Sequence, residues 1–368
     1  MTKLTRRSAL SLIGGAAIAM PFINRSDAAT NVVNVYNWAD YIGTNTLADF
    51  EKKTGIKVRY DTYSSQEEMQ AKMLAGKTGY DVVDMAGIDL PRFIKAGIYL
   101  KLDKTKLPSW GNLDPEIMKI LDAWDPGMEH GMPYMWGSVG YTYNIDMVKA
   151  RIPDADMESL DLLFKPENAA KLADCGISIL DTQTDVFHLA LRYLGKDGNT
   201  QNVADYKEVL ELFKPIRKYI RTFDNTNYLN AIANKELCAV NNWSGDYATA
   251  KARAKEANVE LNLGYFVPKT GAPLWGDCMC IPADAPHKEN AHQFIEFLLQ
   301  PEVIADCTAT TNYANANLAS KKLIDPEILA NPAVYPDAAT MARLWAPKPL
   351  SDKLTREMSR AFSKLKSK

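Results

Sequence analysis

Three short stretches of the chain set an aromatic ring beside a carboxylate: Trp38-Ala39-Asp40-Tyr41, Trp243-Ser244-Gly245-Asp246-Tyr247 and Trp275-Gly276-Asp277. Each lies at the end or start of a run that reads as a β-strand, where open α/β folds and interlobe clefts place their ligands. An aromatic wall with several carboxylates suits a desolvated organic cation. A ring face attracts an ammonium by roughly 0.5–2 kcal/mol, and a carboxylate offsets the larger cost of taking that charge out of water. Singly, each stretch has a plainer reading: Asp40 as a turn residue, Asp246 as a charge favoured at a helix start, the tryptophans as core. Three together favour a cation site.

Other chemistry finds little support. Gly76-Lys77-Thr78 has Ala71 where a phosphate loop needs glycine, and it ends a helix instead of opening one. Trp243-Ser244-Gly245 has Asn242 at the first glycine position of a nucleophile elbow. The four histidines show no zinc-hydrolase spacing. Cys278 and Cys280 flank Met279 on a strand and share one face with no third ligand near, so they read as buried core. No metal and no cofactor is implied. Of the 368 residues 46% are hydrophobic and 24% charged, with a net charge of −2 and no long basic run. That balance excludes disorder, collagen-like repeats, a multi-span membrane protein and a nucleic-acid partner.

The elements that must position these residues begin after an export signal. Residues 1–29 carry a basic head (Lys3, Arg6, Arg7), an apolar stretch from Ala9 to about Ile23, and small residues around Ser26-Asp27-Ala28 for cleavage. Thr5-Arg6-Arg7-Ser8 is similar to a twin-arginine signal, with an ordinary secretory signal as the alternative. No cysteine follows the cleavage site, so no lipid anchor is expected. Of the 43 basic and 45 acidic residues, cleavage removes Lys3, Arg6, Arg7, Arg25 and Asp27, leaving 39 and 44 and a net charge of −5.

Strands are expected over 32–38, 57–62 and 81–86, with helices over 44–53 and from Ser65 to Gly76 between them. This βαβαβ order argues for a parallel sheet covered on both faces. A second α/β set follows: strands over 139–144, 177–180, 238–242, 261–267 and 275–281, and helices over 185–194, 289–299 and from about 352 to the end. A long helix is expected over 205–222, kinked at Pro215. Two α/β lobes without a floppy linker suggest that the chain crosses between them more than once.

At this point a resemblance becomes specific. The chain is similar to the periplasmic polyamine-binding proteins of bacterial ABC importers, and to their putrescine-binding branch most of all. The likeness lies in Asn37-Trp38-Ala39-Asp40-Tyr41-Ile42, Phe50–Val58, Leu102–Pro108, Met132–Trp136, Trp243-x-Gly245-Asp246 and Tyr313–Asn317. It implies a two-lobed periplasmic binding protein of type II, each lobe a mixed sheet flanked by helices, with the ligand in the interlobe cleft. The implied division is 30–136 plus about 265–310 in lobe 1, and about 137–264 plus 311–368 in lobe 2. Crossovers are expected near 135–137 and 263–267.

The resemblance also implies an aromatic box of Trp38, Tyr41, Trp243, Trp275 and Tyr313 and amine-binding carboxylates at Asp40, Asp185, Asp246 and Asp277. Asp185 stands where the putrescine binders usually carry glutamate. Ala39 replaces a hydroxyl residue, and Ala86-Gly87-Ile88-Asp89 replaces a serine-rich loop ending in an aromatic. Asp89 either caps the helix near Pro91 or faces the cleft as a fifth acid. In the second case, longer or guanidinium-bearing amines should gain over putrescine. A Cys175–Cys238 disulfide is implied, leaving Cys278, Cys280 and Cys307 reduced. The expected protein is a periplasmic monomer, not membrane-anchored, with a polyamine ligand and transporter permease subunits as partners. The alternative is an exported enzyme acting on a cationic or sugar substrate through an aspartate acid/base pair.

Overall fold

The computed structural model describes residues 31–367, so the expected export signal and cleavage site fall outside the described residues. Strands β1 (Val32–Trp38), β2 (Lys57–Tyr63) and β3 (Val82–Ala86) run parallel. They are connected through helices Thr46–Thr54 and Gln66–Ala75, as the βαβαβ pattern requires. Gly55 stops the first helix in the left-handed region at φ +72°. The Ser65 hydroxyl starts the second by accepting the Glu68 N–H.

β4 (Gly131–Asn144) is a single fourteen-residue strand, buried throughout. The remaining strands are β5 (Ile177–Ile179), β6 (Ile220–Phe223), β7 (Ala239–Trp243), β8 (Leu263–Phe266), β9 (Ala272–Cys280), β10 (Ala314–Asn315) and β11 (Leu344–Trp345). Their order is β2-β1-β3-β9-β4-β7-β5-β6, with β8 and β10 added to β4 and β11 to β9.

Two hydrophobic cores divide this sheet into two lobes. β4 leaves the first between Trp136 and Val139. Its first half pairs with β9 and β10, its second half with β7 and β8. The return crossing lies on β9, because Ala272 belongs to the second core and Leu274 to the first. This replaces the crossing expected at 263–267, where Leu263 and Val267 both pack in the second core. Ala314, Ala316 and Val334 pack in the first core and Leu354 in the second, so the chain from 311 to about 334 belongs to lobe 1. The assignment of 311–368 to lobe 2 therefore holds only for the C-terminal helix Asp352–Lys366. A third crossing runs between Val334 and Leu354, pinned where β11 pairs with the start of β9.

Two further elements differ from expectation. The long helix ends at Phe213, because Pro215 offers no N–H to the helical ladder and restricts the residue before it. Ile220–Phe223 then pairs with β5, as its β-branched and aromatic residues favour. Helix Pro301–Thr311, unassigned from sequence, starts on proline and stops at Asn312 (φ +60°). That stop delivers Tyr313 to the edge of the cleft.

Candidate functional site

The site is built where β1, β7 and β9 end or cross. Asp277 lies on β9, and its Oδ2 accepts the Tyr41 hydroxyl at 2.8 Å. Asp246 opens the helix Ser244–Glu256 that follows β7. Its Oδ1 accepts the Tyr313 hydroxyl at 2.6 Å and its Oδ2 accepts the Tyr228 hydroxyl. Asp185, in the first turn of helix Gln183–Tyr193, accepts the Trp243 indole N–H at 3.0 Å. Tyr313 packs edge to face on Trp275 (ring centroids 5.1 Å) and on Tyr41 (5.7 Å). Trp275 rests on both cores, and its indole N–H donates to the Ser138 carbonyl at 3.3 Å. Tyr41 and Tyr313 pack with lobe 1, Trp243 with lobe 2. The Tyr313–Asp246 bond therefore ties one lobe to the other.

Burial makes these acids reluctant to ionise. Desolvation pushes Asp185 up to about 7, against the opposing Trp243 bond. It pushes Asp277 to about 7, with the Tyr41 bond opposing and the Asp185 charge adding. Asp246 rises to about 6 through burial, against the bonds from Tyr228 and Tyr313 and the more distant Arg253 charge. Among the described residues, none of the three forms an ion pair with a lysine or arginine.

The family model of bacterial extracellular solute-binding proteins matches residues 45–336. The chain belongs to this family. The putrescine-binding periplasmic protein SpuD of Pseudomonas aeruginosa is 44% identical over 361 residues, covering 98% of this chain and 97% of that one. The putrescine-binding periplasmic protein PotF of Escherichia coli is 42% identical over the full length of both chains. Among solved structures, a putative spermidine/putrescine ABC transporter from Listeria monocytogenes matches with a TM-score of 0.81. It is 29% identical and is covered to 99%, against 91% of this chain. These relatives carry solutes; the alternative of an exported enzyme gains nothing from them.

Within this solute-binding protein, contacts join Tyr41, Asp246, Trp275, Asp277 and Tyr313 into one group, and the hydrogen-bonded pair Asp185–Trp243 stands near enough for the Asp185 charge to act on Asp277. The other three expected residues stand apart from its hydrogen bonds. Trp38 is half-buried with its ring on Tyr63 at 4.5 Å. Asp40 is exposed in a left-handed turn (φ +56°). Asp89 neither caps nor stands free: its carboxylate makes no helix-cap bond, accepts from Gln70 at 2.7 Å and lies 4.0 Å from Arg92. Burial raises it to about 6 against Arg92 and Gln70. A third of its side chain reaches solvent.

One residue bonded to the site escaped the sequence reading: Tyr228 lies in a short helix with no motif around it. The disulfide joins Cys175 to Cys238, and Cys278, Cys280 and Cys307 are free and buried.

Proposed function

We propose that this protein captures a polyamine in the periplasm by closing its two lobes, and delivers it as a monomer to the permease subunits of an ABC importer. The observation that carries the reading is the set of three carboxylates, Asp246 and Asp277 buried and Asp185 half-buried, contributed by both lobes, flanked by aromatic rings and without a lysine or arginine partner among the described residues. A diamine would set its ammonium ends against Asp185, Asp246 and Asp277. Its methylenes would lie along Trp243, Trp275 and Tyr313, while Trp38 and Asp40 would form the rim. The names of the relatives, which bind putrescine or spermidine, support the ligand class.

Ligand choice within the class turns on the loop 86–89. Loss of a ring at Asp89 and of a hydroxyl at Ala39 should open that end to longer or guanidinium-bearing amines. The Gln70 and Arg92 contacts already meet part of the Asp89 charge, which weakens the argument for a fifth ligand-facing acid. Native mass spectrometry of the purified protein tests the function. An added mass equal to a diamine, a triamine or agmatine is expected. A protein that remains bare after incubation with these amines contradicts it.

A further inference from the structure

A cavity of about 390 Å³ shares no residue with the acidic cleft and lies at the seam between lobe 2 and the third crossing. Lobe 2 contributes Arg192, Asp197, Lys269 and Thr270 to its wall, and the crossing contributes Arg343 and Trp345. Gly198 permits the close approach of the two. A Cβ there would stand 2.6 Å from a ring carbon of Trp345.

The wall has donors without acceptors. Three of its buried polar atoms lack a hydrogen-bond partner: the Arg343 Nε, the Trp345 Nε1 and the Thr270 hydroxyl. The first two can only donate, and the hydroxyl can turn to donate. The positive charges of the wall are unevenly met. Lys269 pairs with Asp156 at 2.6 Å. Arg343 has Nη1 3.8 Å from Glu158, while its Nη2 donates to the Val267 carbonyl at 3.4 Å. Arg192 has no carboxylate partner among the described residues. Its Nε donates to the Thr270 carbonyl at 3.0 Å, and its guanidinium lies 5.4 Å from the Trp345 ring centroid. Asp197, the one acid of the wall, accepts the Asn199 backbone N–H at 3.0 Å.

We propose that this cavity is a binding site for a small oxyanion, phosphate or the carboxylate end of an organic acid, held by Arg192, Arg343, Thr270 and Trp345. The proposal goes beyond the amine-binding reading and does not rest on it. A guanidinium fork offers its N–H groups to paired oxygens, the feature that phosphate and carboxylate share. Buried donors left unmet are costly, and a ligand made only of acceptors satisfies several at once. The unpartnered atoms reach no solvent, so docking shifts the Arg343 and Thr270 side chains, both of which are only partly buried. Because the donors come from lobe 2 and from the crossing, a bound anion would fasten one to the other.

The test is calorimetric titration in Tris chloride near neutral pH and at constant ionic strength, with phosphate in one arm and malonate in the other. Saturable one-to-one binding of at least one anion is expected, and the arm that binds names the source. Trp345→Phe keeps a ring and removes the N–H, and Arg192→Gln removes the unpaired charge. Each should weaken anion binding at least about tenfold, because hydrogen bonds to a charged group are the strong ones. Thr270→Val replaces either variant that fails to fold. Putrescine binding by these variants should match the wild type, since none of the three residues belongs to the acidic cleft. Heats no different from those of added chloride in both arms overturn the proposal and leave water to meet the donors. Anion binding that survives either variant unchanged also overturns it, by placing the anion elsewhere. A wild type that binds anion but no amine overturns the amine reading and leaves this site standing.

Discussion

Hydroxyl and indole donors, not cations, hold the three acids of the cleft. A tyrosine or indole bond orients a carboxylate without neutralising it, so the charge remains available to a ligand. Replacing Asp246 or Asp277 by alanine leaves an ammonium unpaired in a dry cleft, at a cost of roughly 3–5 kcal/mol. Calorimetry should show each variant binding amine at least a hundredfold more weakly. Protonation acts in the same direction. Asp185, Asp246 and Asp277 titrate at about 6 to 7 when folded, against an ordinary 3.8. The folded state therefore holds more protons than the unfolded chain between about pH 4 and 7, and these groups stabilise the empty protein less as pH rises through that window. A bound cation favours the ionised acids, so the rise in melting temperature on adding amine should grow from pH 5 to pH 7.5. A constant rise would show that these carboxylates do not meet the ligand. At this scale the sequence shows its aromatic–acid pairs because they are contiguous. Tyr228 reaches the site only through a tertiary contact, which no local pattern carries. Asp40, legible as a turn residue, does stand in a left-handed turn.

At the scale of elements, the close approach of the lobes depends on one glycine. A Cβ on Gly245 would lie 2.5 Å from two ring carbons of Tyr313 and 2.8 Å from the Asn312 carbonyl oxygen. Gly245 belongs to the helix after β7, in lobe 2, and Tyr313 to lobe 1. Gly245→Ala should fold normally yet resist closure, weakening amine binding tenfold or more, which is about 1.4 kcal/mol or more. An unchanged affinity would mean that the ligand is held without this contact. The Cys175–Cys238 bridge spans 63 residues within lobe 2. Closing a loop of that length is worth about 4 kcal/mol in the chain-entropy model. Reduction should lower the melting temperature of the empty protein, and an unchanged melting temperature would remove that role. Strands and caps were legible where turn chemistry is local, as at Gly55 and Ser65. The helix over 205–222 was misread because its apolar spacing continues through Pro215, while β6 is decided by pairing with β5.

For the whole molecule, three crossings between lobes set the form of any motion. β4 and β9 pass side by side through the boundary, and the chain between Val334 and Leu354 returns beside β9. Closure must bend these segments together, a hinge motion around a ligand held from both sides. Small-angle scattering should show a smaller radius of gyration with amine than without, and an unchanged radius would exclude a closing cleft. The crossing count was readable in outline from the lack of a linker. The third crossing was not, because the stretch before the last helix holds only the one-turn helix Ala338–Met341, near the helix expected around Thr340, and the two-residue strand β11, too short to show which lobe they join. The central claim is that an acidic, aromatic cleft binds a polyamine. Its most direct test is a calorimetric panel of putrescine, cadaverine, agmatine and spermidine on the wild type, with Asp277→Ala alongside. Saturable one-to-one binding of at least one amine, lost a hundredfold or more in Asp277→Ala, is the expected result. No binding by any of the four, or binding indifferent to Asp277, would contradict it.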